Sequence, residues 1–571
     1  MTASVVWTGL VLLFLVIFIW TMIRENQRKH REFLRKMKKS WGQVPDREYT
    51  WDQLEQIAGY YKEQKADRFV IDDVTWNDLD LDRVFLLINQ TVSSPGEDYL
   101  YYMLRTPEFS KEKLQERERL FQFFQKNEKA RQRLQEILAA VRRPPSVSLY
   151  KAVHVEKDCY IGNPGKQRFL FGAFLASLLA FIIIPQYGVF LFLLMGCVNI
   201  GLYLKEKEKI NAYILGFRCV IQLLQAIRSL EKEGIEELSD YTQRLIRCKK
   251  ALGKFESGAF LVLNRGGMES GPESILLDYV RMMTHVDLIK FNSMMKAMKE
   301  HEKETEEIIS VLGFLDACIS VASFRELLPY FSCPEFTDYR KGQRAKIEVE
   351  NLYHPLISEP IANSITAKQA VLVTGSNASG KSTFLKNLAL NAILAQTIHT
   401  CTATACRMHF YKTMTSMALR DDLESSESYY IVEIRSLKRI LDEGKNQEIP
   451  ILCMIDEVLR GTNTIERIAA SSRILAALNQ PHILPFAATH DIELTYMLED
   501  SYKNYHFEEE VKENDVVFSY LLKEGRVTTR NAIRLLQMVG YDRSIVEASK
   551  QAVVDFEKTG IWKKAGEEIC L

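Results

Sequence analysis

The stretch that most restricts this chain is VLVTGSNASGKSTF, positions 371–384. A run of small apolar residues stops at Gly375. From there Gly375-Ser376-Asn377-Ala378-Ser379-Gly380-Lys381-Ser382 satisfies the pattern G-x-x-x-x-G-K-[ST] at each defined position. Residues 371–373 read as a strand. TFLKNLALNAILAQ reads as a helix with Leu385, Leu388, Ala389 and Ala392 on one face. Strand, glycine-rich loop and helix, in that order, are what phosphate binding by backbone N–H groups requires. The glycines let those groups turn inward, and the helix start adds the positive end of its dipole. In this reading the loop, through Thr383, cradles the phosphates of ATP. Lys381 reaches the β- and γ-phosphates and Ser382 holds Mg²⁺.

Two further apolar runs end in reactive side chains. ILCMIDEVLRGTNT (451–464) delivers Asp456-Glu457 about 75 residues past the loop, as a buried strand presents carboxylates at its edge. Asp456 is expected to hold Mg²⁺ through water, and Glu457 to orient or deprotonate the attacking water. ILPFAATHDIEL (483–494) ends its strand at Thr489-His490, which places His490 near the γ-phosphate. An Asp-Glu pair or a lone histidine is weak evidence by itself; each gains its meaning from the strand before it.

The amino-terminal end is built for a different solvent. SVVWTGLVLLFLVIFIWTMI (4–23) carries no charge over the roughly 20 residues that a helix needs to cross a bilayer. The MTAS start lacks the basic residues of a signal peptide, so an uncleaved anchor is expected. Arg24, Arg28, Lys29, Arg31, Arg35, Lys36, Lys38 and Lys39 crowd its far end, which places the N-terminus outside and the rest in the cytoplasm. A second uncharged tract covers 169–204. Pro185-Gln186-Tyr187-Gly188 interrupts it as a turn would, leaving two short spans of about 16 residues. Lys166 and Arg168 precede it and Lys205, Lys207 and Lys209 follow, so both ends face the cytoplasm.

Elsewhere the chain reads as long helices, 111–138 among them. A methionine stripe (Met282, Met283, Met294, Met295, Met298) is taken as helix-packing core, and RGGMESGPES (265–274) as a loop. Ten scattered cysteines form no metal-binding pattern. Lys plus Arg and Asp plus Glu balance at 74 each, so affinity for nucleic acid would have to come from local patches.

The three site elements, with RDDLESSESYYIVEI (420–434) between them, resemble the ATPase domain of the MutS family of DNA mismatch-repair proteins. YHPLI (353–357) and FSYLLKEGRVTTRNAIRLLQMVGY (518–541) extend the likeness on either side. TVSSPGEDYLYYMLRTPEFSKEKLQERERLFQFF (91–124) and FLDACISVASFRELLPYFSCPEF (314–336) are similar to the start and end of that family's helical lever. The resemblance covers roughly 80–550. It implies an ABC-type ATPase that dimerises head to tail, with Asn377 on the γ-phosphate and Ser428 as the signature serine that reaches the partner's nucleotide. Arg460-Gly461-Thr462 would lie at that interface. Ala378-Ser379 stand where Met-Gly is usual, Glu427 where a basic residue is, and Tyr429 where threonine is. No counterpart of the mismatch-reading domain is recognised in residues 1–80, so any grip on DNA is expected to be non-specific.

The expected fold is an α/β phosphate-loop ATPase domain (341–571) joined to an all-α lever-like domain (41–165 and 208–340). A transmembrane anchor (1–40) and a transmembrane hairpin (166–207) complete it. The expected function is a multi-pass cell-membrane ATPase with a cytoplasmic ATP site, acting as a homodimer with Mg²⁺ on a protein partner not identifiable from sequence. The alternative is a transport-type ABC ATPase fused to a small membrane domain. Against it, residues 425–429 read SSESY rather than LSGGQ.

Overall fold

The computed structural model describes residues 2–64, 68–141, 163–263, 272–376, 379–417, 429–459, 462–512, 515–526, 532–562 and 564. They fall into two units. One holds Met1–Asp67, Phe85–Met103 and Glu116–Leu327; the other holds Arg68–Val84, Leu104–Gln115 and Leu328–Leu571.

In the second unit the described strands are β1 (Glu335–Phe336), β2 (Ile347–Leu352), β3 (Asn363–Ala367), β4 (Ala370–Thr374), β5 (Ala405–Met408), β6 (Lys412–Ser416), β7 (Ile451–Asp456), β8 (Ile483–Ala488), β9 (Tyr502–Lys512) and β10 (Asp515–Glu524). They form a four-stranded sheet, β1-β5-β2-β3, and a six-stranded sheet, β10-β9-β4-β8-β7-β6. The larger sheet is parallel except for β10, which returns antiparallel to β9. Every residue of β4, β7 and β8 is buried. That is why these strands read as unbroken apolar runs rather than as alternation. Parallel strands end on one edge, so the segments after β4, β7 and β8 meet there, where open α/β sheets bind ligands.

The unit is not the contiguous 341–571 of the sequence reading. It starts at Leu328 and takes in two earlier stretches. Phe69 packs against the buried cluster that contains Leu372, Cys453 and Ile455. Trp76 is buried, with the Arg105 guanidinium 4.1 Å over its ring, and the Glu108 N–H donates to Gln396 O at 2.8 Å.

The other unit is helical. Its central helix, Glu302–Leu327, carries Asp316, fully buried, whose carboxylate accepts the Val92 and Ser93 N–H groups and the Ser93 hydroxyl. Arg325 and Glu118 form a two-pronged ion pair at 2.9 and 2.6 Å. Met294, Met295 and Met298 are buried, as helix-packing core requires. The expected helix 111–138 is two, Lys111–Lys126 and Glu128–Leu138. Asn127 breaks it by accepting the Ala130 N–H at 3.2 Å, an N-cap inside the periodic run. Of the expected loop 265–274, residues 265–271 lie outside the described residues, and Pro272 opens the helix Pro272–Thr284.

The uncharged tract is a pair of helices, Pro164–Ile183 and Pro185–Glu233. The turn expected at 185–188 is one residue earlier and shorter. Only Ile184 leaves the helical backbone, and Pro185 opens the second helix, where its missing N–H costs nothing. That helix runs 49 residues, about 73 Å at 1.5 Å per residue. Its first part, Pro185–Ile210, and the helix before it are long and apolar enough to cross a membrane and are only 22% buried. Glu302–Leu327 meets the same length and composition test, but at 83% buried it is a core helix. Thr2–Ser40 is one continuous helix through both the apolar and the basic segment, with Phe14, Ile17 and Trp20 exposed.

Toward the end of that apolar stretch, polar groups tie the long helix to its neighbours. Asp287 Oδ2 accepts from Tyr203 and Lys207, each at 2.8 Å, and Asn199 donates to Met283 O at 2.7 Å. At the other end Gly188 sits against the preceding helix so closely that a Cβ there would lie 2.4 Å from Ala180 O. Gly188→Val should therefore cost about 1–3 kcal/mol of the helical unit's stability in detergent, read from its denaturation midpoint. Gly172→Val and Gly196→Val, with nothing within 4 Å, should be nearly neutral. Equal midpoints for all three would show that the close approach imposes no constraint.

Candidate active site

The loop after β4 turns on its glycines. Gly375 has φ +147° and Gly380 φ +105°, backbone that L side chains rarely adopt. A Cβ on Gly375 would also lie 2.9 Å from both Phe507 O and Ser379 Oγ. Lys381 opens the helix Lys381–Ile398, and its ammonium folds back over the loop, donating to Gly375 O at 2.9 Å and Ser376 O at 2.8 Å. The Ser376 hydroxyl donates to the Glu509 carboxylate on β9. Ser379 is buried within the loop, Ser382 is half-buried and Thr383 exposed on the first helical turn. Asn377 and Ala378 lie outside the described residues.

β7 ends on Asp456, which is buried. Glu457 follows with φ +55°, a left-handed backbone that a non-glycine residue adopts only at a cost of order 1 kcal/mol. Its N–H donates to Ala488 O at 2.9 Å, fixing it to the end of β8. The Glu457 carboxylate reaches His490 Nε2 at 2.8 Å, and Lys381 Nζ lies 3.4 Å from the same nitrogen. A proton on Nε2 is donated to Glu457, which makes Lys381, also a donor, a neighbour of the ring and not its partner. His490 is held from both sides in sequence. Thr489 N–H bonds Val373 O at 3.0 Å, and Asp491 pairs with Arg467 through two contacts, 2.6 and 3.0 Å. The three predicted catalytic side chains, Lys381, Glu457 and His490, thus meet at one point, with Asp456 the residue just before Glu457.

Past Glu457, Leu459 is also left-handed (φ +60°), and its N–H donates to the Glu433 carboxylate of the helix Tyr429–Glu443. Thr462 is half-buried; Arg460, Gly461 and Ser428 lie outside the described residues.

A cavity of about 520 Å³ opens over the start of the Lys381–Ile398 helix. His354, Ile361, Asn363, Phe507 and Tyr520 line it with Lys381, Ser382 and Glu457. Burial, with Lys386 nearby, pushes the His354 pKa down to about 4, so the ring is neutral. Its Nδ1 accepts the Leu356 N–H at 3.3 Å, which leaves the proton on Nε2. Asn363 donates to Tyr520 O (3.0 Å) and accepts the Leu522 N–H (2.7 Å), holding Tyr520 where the β9–β10 register breaks. Phe507, Tyr520 and Asn363 have no local motif, and the motif-based reading missed them. The pairing of β9 with β4 brings Phe507, and through β10 Tyr520, to the loop, and Asn363 joins them from β3 through its bonds to Tyr520 and Leu522.

The residues fit a nucleotide with its metal. The cavity joins neutral and aromatic walls, suited to a base, to a glycine cradle that a side chain would fill. Ser382 and Asp456 supply the hard oxygen donors that Mg²⁺ takes.

Residues 371–557 match the family model for MutS domain V. Among curated proteins, the DNA mismatch repair protein MutS of Thermus thermophilus is 29% identical over 260 residues, 45% of this chain and 31% of that protein. Those of Bacillus licheniformis and Methanosarcina barkeri are 27% and 24% identical over 300 and 304 residues. Through this domain the chain is similar to the MutS family. The alignments span about a third of the length of these relatives. The MutS domain V match begins within β4 and ends inside the helix Arg543–Thr559, so it takes in the loop, both carboxylates, His490 and the β9–β10 hairpin.

Proposed function

We propose that this MutS-like chain is a membrane-anchored ATPase. It binds and hydrolyses ATP in a head-to-tail homodimer and uses the cycle to move its helical and membrane segments. The supporting observation is the meeting of Lys381, His490 and Glu457 at the mouth of the glycine loop. Lys381 exchanges its two loop carbonyls for phosphate oxygens, trading neutral acceptors for charged ones. Glu457, set by its left-handed backbone and by His490, positions a water and takes its proton. Ser382 and Asp456 hold Mg²⁺, which when bound neutralises charge on the phosphates. The membrane role rests on the exposed apolar helices Pro164–Ile183 and Pro185–Ile210. The second of these continues without a break into the helical unit and is pinned there through Asp287. With zero net charge, contact with DNA would be a weak, salt-dependent grip without preference for a mispair.

In detergent the protein should hydrolyse ATP with Mg²⁺, and removal of the metal by EDTA should lower the rate at least about a hundredfold. Light scattering should show ATP driving monomer to dimer when hydrolysis is blocked. Metal-independent turnover, or a monomer saturated with ATP, would each remove a part of this reading.

A further inference from the structure

After β7 the chain turns through Glu457, Val458 and Leu459. Glu457 (φ +55°) and Leu459 (φ +60°) both hold left-handed backbone without being glycine. Each such residue costs of order 1 kcal/mol and persists only where its surroundings over-determine it. Three separate elements do so here. From β8, Ala488 O accepts the Glu457 N–H at 2.9 Å. From the helix Thr464–Leu478, the Ser471 hydroxyl donates to Val458 O at 3.2 Å. From the helix Tyr429–Glu443, the Glu433 carboxylate accepts the Leu459 N–H. Val458, Leu459, Ser471 and Glu433 are all buried, Glu433 to within 5%. A buried N–H that loses its acceptor costs about 1–3 kcal/mol, as much as the strain it holds in place or more.

Loss of the tether at Leu459 therefore lets the turn relax toward ordinary negative φ. A change of φ at Glu457 turns its side chain about the N–Cα bond. That swings the carboxylate off His490 Nε2, which it now meets at 2.8 Å. We propose that Glu433 is a positioning residue for ATP hydrolysis: through the Leu459 N–H it holds the left-handed turn that aims the Glu457 carboxylate at His490. The inference rests on the proposed role of Glu457 as the base. Its physical part, the holding of the turn, is measurable without that role. Glu433 is not part of the cavity wall, to which this turn contributes Glu457, so nucleotide affinity should not depend on it.

The test compares Glu433→Leu, Glu433→Gln and Ser471→Ala in the full chain in detergent, and repeats Glu433→Leu in a Glu457→Gln background. Hydrogen exchange is read over 456–459 and over β4 and β6 without nucleotide; kcat and KM for ATP are read with it. Glu433→Leu should speed exchange over 456–459 about tenfold, with β4 and β6 unchanged. It should lower kcat about tenfold with KM within about threefold. Glu433→Gln keeps an oxygen for the Leu459 N–H and should stay within about twofold of the unaltered protein on every reading. Ser471→Ala removes the tether at Val458 O and should move exchange and kcat in the same direction by about threefold; it covers the case in which Glu433→Leu fails to fold. In the Glu457→Gln background, Glu433→Leu should change the remaining rate by less than about twofold, because a residue that acts through Glu457 has nothing left to position. Unchanged exchange over 456–459, a Gln variant as impaired as the Leu variant, or a full further tenfold loss on top of Glu457→Gln would each overturn the proposal. A chain that never hydrolyses ATP overturns the proposed function instead, and the exchange data still decide whether Glu433 holds the turn.

Discussion

Glu457→Gln should bind ATP as tightly as the unaltered protein and turn it over at least about a hundredfold more slowly, the usual reach of a positioned general base. The substitution isolates the chemistry because little else changes. Glutamine has nearly the shape of glutamate, the Glu457 N–H keeps its bond to Ala488 O, and the amide oxygen can still accept from His490 Nε2, 2.8 Å from the present carboxylate. What is lost is the negative charge and the capacity to take a proton. The left-handed backbone at 457 (φ +55°) is tolerated as readily by glutamine as by glutamate, so stability should not move beyond about 0.5 kcal/mol. A rate within threefold of the unaltered protein would remove Glu457 from the mechanism. In the expected case the variant stalls with ATP bound, and whatever it then retains on purification identifies what the cycle acts on.

How much of this could be read in the sequence depended on how local the cause was. The glycine loop was legible because each requirement sits within eight residues: two positive-φ glycines, a lysine and a hydroxyl at a helix start. β4, β7 and β8 were legible because burial on both faces leaves an unbroken apolar run, and their shared edge follows from parallel pairing. Tyr520 and Phe507 were not, since they reach the loop only through the pairing of β9 with β4. The same holds for residues 68–84. Asp78 and Asp80 read as an ordinary helical approach, yet they bond Thr415 on β6 and Lys386 on the loop helix, more than 300 positions away. Asn127 and Ile184 mark a subtler failure. Periodicity located the helices there, but one capping side chain and one non-helical residue decided where they stopped.

Lys381→Ala should weaken ATP binding at least about a hundredfold, roughly 2.7 kcal/mol. The Lys381 ammonium is buried and bonded to Gly375 O and Ser376 O, so its charge is held at the loop and its long side chain is already ordered. That preorganisation makes the residue costly to lose. Alanine removes that charge and with it a charge-assisted contact to the phosphates, which acts against binding. Lys381→Arg should not rescue it, because a planar guanidinium cannot follow the path of an ammonium buried between two carbonyls that lie 2.9 and 2.8 Å away. Fold integrity is checked by the helix Lys381–Ile398, whose buried face (Leu385, Leu388, Ala392) the substitution does not touch. Titration with a fluorescent ATP analogue measures the effect. Affinity within threefold of the unaltered protein, in a variant with unchanged denaturation midpoint, would mean that the loop amides and the helix start bind phosphate unaided and that Lys381 serves only to hold the empty loop together.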